Sequence, residues 1–159
     1  MWDIIKQLLG MGVSVSIPLG SFHDEAKSVL LTREKIVSFA LSQVGKPYRL
    51  GAENTDGAAR EWDCSELVEI ACKEAGEKVP DGSGAQYAFC IPVTNPSVGD
   101  LGFLWKYGEP GTIGHVEILS DSLHTIGAVG ISPHCVRVEK REWLETHPRF
   151  AGWRRHPNL

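Results

Sequence analysis

The sequence predicts an α+β domain, with helices first and an antiparallel β-sheet second. Three observations carry this. Apolar residues recur at helical spacing in the first half of the chain. After residue 90 they alternate with polar ones at a period of two. Turn residues punctuate the alternating runs, as in Ser120-Asp121-Ser122. Helices and strands grouped this way, rather than interleaved, point to helices packed on a sheet whose strands run antiparallel.

In chain order, residues 1–31 read as an extension, with 21–27 as a polar linker, and residues 32–159 as the domain. The apolar N-terminal stretch carries Asp3 and a single Lys, without the basic start of a secretory signal. A short amphipathic helix or strand is the expectation there. The first firm helix is expected over 33–44, with Thr32 as its cap and Ile36, Phe39, Ala40 and Val44 at helical spacing. Gly45 and Pro47 end it. Residues 46–62 read as a long loop, the kind that often carries function. A second helix follows Asp63, with Asp63 as cap and Glu66 reaching back as in a capping box. Val68, Ala71 and Ala75 share a face with Cys64, and Gly76 closes the helix. A short third helix is expected from Ser83, with Gln86 as its reciprocal cap partner. Strands are then expected over 101–105, 114–119, 123–129 and 135–138.

Composition narrows the function. The chain has 159 residues, 42% of them hydrophobic and 23% charged, enough for one packed core. Sixteen Lys and Arg against twenty Asp and Glu give a net charge of −4 and no basic run, which argues against nucleic-acid binding. No apolar stretch is long enough to span a bilayer. Of the four cysteines, Cys64, Cys72, Cys90 and Cys135, no two have C-x-x-C spacing, so neither a structural zinc site nor any other metal site is expected. Nothing marks a disulfide framework, and no cofactor motif is present. Free thiols, most of them core fillers, are the simpler reading.

Cys64 stands apart by position. It is the first residue after a helix cap, where unpaired backbone N–H groups and the positive end of the helix dipole favour a thiolate. The same N–H groups can hold an oxyanion. A buried structural thiol on the apolar face is the competing reading. His115 begins an alternating run between Gly114 and Val116, with Gly111 close by. Glycines there allow close backbone approach. An imidazole within reach of Cys64 would take its proton and return it to a leaving amine. A half-exposed strand histidine is the plain alternative.

Four ordered motifs carry a resemblance. They are Lys46-Pro47-Tyr48 with Gly51, then Trp62-Asp63-Cys64-Ser65-Glu66-Leu67-Val68, Val98-Gly99-Asp100-Leu101, and Gly114-His115-Val116-Glu117-Ile118. Together they span about residues 33–130, and the chain resembles the NlpC-type family of bacterial cell-wall cysteine peptidases. The resemblance implies a papain-like fold with the cysteine on a helix and the histidine on the sheet. It implies hydrolysis of a peptidoglycan stem peptide, often at a γ-D-glutamyl bond to a diamino acid. Cys64 would be the nucleophile and His115 the base. Tyr48 would help bind the oxyanion or else pack on the helix. An N-acetylmuramoyl-L-alanine amidase on the same fold, or a decayed wall-binding module, are the alternatives. The family's usual glycine after D-C-S is Glu66 here, and its W-G-G is Leu50-Gly51-Ala52.

The family also places a polar residue, often His, on the strand after the histidine strand, to orient the imidazole. Ungapped alignment puts Gly127 there. His124 would substitute if the hairpin were three residues shorter, with the more distant His134, a backbone carbonyl or water as other options. The compact length and the missing signal resemble phage lytic or tail-associated enzymes, delivered by a holin or a particle.

Overall fold

The computed structural model describes residues 19–54 and 56–159. Most of the apolar N-terminal stretch lies outside these residues. Helix α1 runs Leu19–Ser42, α2 Cys64–Glu74 and α3 Ser83–Phe89. Six strands follow, with one short helix among them: β1 Ile91–Val93, β2 Leu101–Lys106, β3 Glu109–Leu119, β4 His124–Val129, β5 Cys135–Lys140, α4 Arg141–Glu145 and β6 Phe150–Arg155. The strands form one sheet in the order β1-β6-β2-β3-β4-β5, and every neighbouring pair is antiparallel. The α+β arrangement is as the sequence predicts.

The first helix already includes Leu19, fourteen residues before the expected start at residue 33. Residues 21–27 are helical rather than a linker, and they hold no glycine or proline to break the helix. Thr32 therefore caps nothing. Its hydroxyl donates to the Ser28 carbonyl at 3.0 Å, one turn back. The expected start of the domain at residue 32 falls inside a continuous helix.

The second helix is capped as expected: Asp63 Oδ1 accepts from the Glu66 N–H at 2.9 Å. Glu66 does not reach back to the cap. Its Oε1 accepts from the Asn54 N–H at 2.5 Å and so ties the long loop to the helix. Gln86 is no cap partner either. Gly82 precedes α3 without a side-chain cap, and Gln86 Nε2 donates to the Ser65 carbonyl at 2.9 Å.

The main core lies between the helices and one face of the sheet. Ile36 and Ala40 of α1, Leu67, Val68 and Ala71 of α2, and Phe103, Val116, Ile118 and Ile126 of the sheet are all essentially sealed from solvent. Burying each of the larger of these side chains contributes roughly 1.5–3 kcal/mol. A smaller cluster of Leu104, Leu119, Leu144 and Trp153 brings α4 into contact with the sheet. The loop after α1 closes over the β5 edge. The Gly45 N–H donates to the Val136 carbonyl, and the Tyr48 N–H to the His134 carbonyl. These bonds occupy an edge that would otherwise be open to pairing, and they set Tyr48 beside the N-terminus of α2.

Candidate active site

Cys64 sits at the first position of α2, buried at 8% exposure. The turn before it is tightly held. Asp63 accepts from the Glu66 N–H and the Ser65 hydroxyl through Oδ1, and from the Gly51 N–H through Oδ2. Asp63 and Ser65 thus shape the helix start. Gly51, at φ +69°, lets the loop turn back toward it.

His115 is aimed by a bulge. Leu104 pairs with His115, but the next residue, Trp105, pairs with Ile113, which leaves Gly114 extra in β3. A bulge rotates the strand and redirects the side chain after it. Glycine is required there: a Cβ on Gly114 would lie 2.8 Å from the Lys106 Cα. The close approach read from the sequence is real at Gly114. Gly111 instead provides a positive φ in open space.

From the bulge onward, Val116 and Ile118 face the helices, while His115 and Glu117 share the other direction. Strands β3 and β4 pair only at Ile118–Ile126 and Leu119–Thr125. The His115 ring stands against Cys64 and is hydrogen-bonded to Glu117. Its Nε2 lies 3.0 Å from Glu117 Oε1. Burial alone would make the ring harder to protonate. The hydrogen bonds and negative charge of Cys64 and Glu117 outweigh it and push the His115 pKa up to about 10.

The structure joins Cys64, His115 and Tyr48 but not His124. The His124 ring bonds Asp121 at 3.0 Å, on the exposed turn beyond the far end of β3. A hairpin three residues shorter would have brought it closer, but β4 begins at His124 and pairs Thr125 with Leu119. His134 is exposed and meets Tyr48 only through its carbonyl. Tyr48 is held protonated more firmly than usual, first by burial and then by the nearby Cys64 and Asp63.

Glu117 is the residue the sequence reading missed. Its side chain is fully buried, and Oε2 accepts from the Thr125 hydroxyl at 2.5 Å. The signal was there: in His115-Val116-Glu117-Ile118, period two puts the carboxylate on the histidine's side of a strand otherwise built for burial. Also missed was a cavity of about 290 Å³ beside His115, lined by Tyr48, Ile131, Trp143, His147 and Arg149. Burial and the nearby Arg149 and His115 hold His147 below the usual imidazole range.

Among the described residues, one acidic group gathers, with oxygens of Glu66, Glu69 and Asp81 within 4.8 Å of one another. Glu66 is committed to the Asn54 N–H, and burial raises the carboxyls of both Glu66 and Glu69.

The NlpC/P60 family model matches residues 45–147. Solved structures agree with the fold. The peptidoglycan hydrolase RipB of Mycobacterium tuberculosis superposes with a TM-score of 0.66 at 26% identity, over 94% of this chain and 76% of that one. The P60 domain of antigen MAP1204 from M. avium subspecies paratuberculosis gives 0.64 at 27% identity, over 77% and 92%. NlpC1 of Trichomonas vaginalis gives 0.68 at 17% identity, where the chain covers 44% of the larger protein. The chain likewise spans 40% and 41% of relatives from Bacillus cereus and Staphylococcus aureus. No curated protein matches the sequence. The papain-like arrangement expected from the motifs is therefore the observed one, and the chain belongs to the NlpC/P60 family.

Proposed function

We propose that the protein is a peptidoglycan hydrolase that cuts an amide bond of the stem peptide, with Cys64 as nucleophile and His115 as its proton carrier. The carrying observation is the His115 ring standing against Cys64 at the N-terminus of α2, with its pKa pushed up to about 10. At neutral pH such a ring holds a proton that it can pass to a departing amine.

The chemistry follows in two halves. The Cys64 thiolate attacks the scissile carbonyl, and the C=O electrons move onto oxygen. The N–H groups of the first turn of α2 and the Tyr48 hydroxyl stabilise that oxyanion. The tetrahedral species collapses, the C–N bond breaks, and His115 gives its proton to the departing amine. The neutral ring then takes a proton from water, which attacks the thioester. Collapse of the second tetrahedral species releases the acid and restores the thiolate, with the proton on His115. The cavity at His115 receives the leaving side of the bond. A γ-D-glutamyl bond to a diamino acid is the preferred target.

Mass spectrometry of digested peptidoglycan tests this. New stem-peptide fragments are expected with the wild-type protein and none with Cys64→Ala or His115→Ala, both still folded by circular dichroism. Undiminished release by Cys64→Ala overturns the reading. Products cut next to the muramoyl lactyl group would assign the amidase reaction instead.

A further inference from the structure

We infer that Glu117 is the positioning residue of the catalytic pair, taking from within the histidine's own strand the role its relatives give to a side chain on the next strand. This rests on the hydrolase reading above and adds a third residue to it.

Three geometric facts carry it. First, Glu117 Oε1 lies 3.0 Å from His115 Nε2. Second, Glu117 is held from β4: the Thr125 hydroxyl donates to its other oxygen at 2.5 Å. A fully buried carboxylate is costly unless both oxygens are partnered, and these two contacts partner them. Third, the space is reserved. A Cβ on Gly127 would lie 2.7 Å from Glu117 Cγ and 3.2 Å from Cδ. Position 127 is where alignment with the motifs puts the usual third residue. A side chain at 127 would collide with Glu117 where it now lies. The glycine that looked like a lost third residue is what admits its replacement.

The replacement differs in charge. A neutral His at the third position orients the ring. A buried carboxylate also stabilises the imidazolium, and so keeps His115 protonated to higher pH. The other ionisable groups around the ring are Cys64 on α2, Tyr48 on the loop, and His147 and Arg149 before β6. Of these only the sulfur adds negative charge, and it is removed in the first test.

In full-length Cys64→Ala protein, NMR titration of the His115 ring should give a pKa above the ordinary 6.5. Adding Glu117→Gln should bring it to 6.5 or below, where burial alone would put it. A His115 that titrates at or below 6.5 in Cys64→Ala alone overturns the inference, with no need for the Glu117 variant to fold. Equal titration with and without Glu117→Gln overturns it too. In the enzyme with its sulfur, Glu117→Gln should lower kcat on the order of 10-fold or more, with KM little changed. The alkaline limb of its pH profile should fall by at least one pH unit. An unmoved alkaline limb speaks against Glu117. The titration uses no substrate, so it separates failure of this inference from failure of the hydrolase reading.

Discussion

Cys64 and Cys72 are both buried on the same short helix, and their places along it set their chemistry apart. Cys64 opens α2, with the dipole's positive end at its back and His115 in front. Cys72 lies in the closing turns, where burial and then the charges of Cys90, Glu77 and Glu69 push its pKa up to about 12. Cys90 is pushed up to about 11 by burial, against the pull of Arg154. Only thiolates alkylate, so iodoacetamide near pH 7 should modify Cys64 while Cys72 and Cys90 stay unlabelled in the folded protein. Peptide mapping reads this directly, and labelling of Cys72 as fast as Cys64 would contradict the site. Tyr48 carries a second prediction. Its phenol is held protonated beside the sulfur and packs on Gly130, where a Cβ would come within 2.9 Å of the ring. As an oxyanion donor, Tyr48→Phe should cost about 10²-fold or more in kcat. If the ring only packs, kcat should hold, since Phe fills the same space.

Single elements show where sequence reading succeeds. Asp63 was legible as a cap because its acceptor role is local: three residues away, within one turn. Glu66 and Gln86 were misread because their partners, the Asn54 N–H and the Ser65 carbonyl, come from other segments, twelve and twenty-one residues away. Cys64 and His115 each stood in a local pattern. Glu117 did too, but its meaning depended on what β4 leaves open at Gly127. Period two places residues on faces and says nothing of the neighbour across the gap. The α2 cap gives an element-scale prediction. Asp63→Ala should destabilise the fold by about 1 kcal/mol in urea unfolding. It should also cut activity more than that loss explains, since the frayed turn carries the nucleophile. Asp63→Asn keeps an acceptor and should retain most of both. The bulge gives another: Gly114→Ala forces the Lys106 backbone away, so His115 swings off Cys64. A folded Gly114→Ala protein with wild-type kcat would refute the bulge's part in aiming the ring.

Across the whole molecule, the Val98-Gly99-Asp100-Leu101 motif has a structural purpose. Asp100 is fully buried. Its Oδ1 accepts from Arg33 Nη1 of α1 at 2.9 Å, and its Oδ2 from Arg155 Nη2 of β6 at 2.7 Å. Arg33 also donates to the Val98 carbonyl at 2.7 Å, and Gly99 at φ +85° passes against its stem. Both arginines lie outside the span matched by the family model, one before and one after it. One carboxylate inside the matched region thus clamps the first helix and the last strand onto it. Arg33 is as buried as its partner demands, with 9% of its side chain exposed, whereas Arg155 keeps 24% and can turn to water. Removing the carboxylate therefore strands one charge, not two. Asp100→Leu should destabilise the fold by roughly 3–5 kcal/mol, the usual penalty for an uncompensated buried charge. Adding Arg33→Met removes that charge and should recover much of the loss, since a well-packed apolar pair often replaces a buried ion pair at little cost. Urea unfolding of the two variants decides it. A double variant no more stable than Asp100→Leu alone would mean that Arg33 is solvated, and that packing, rather than the ion pair, holds α1 in place.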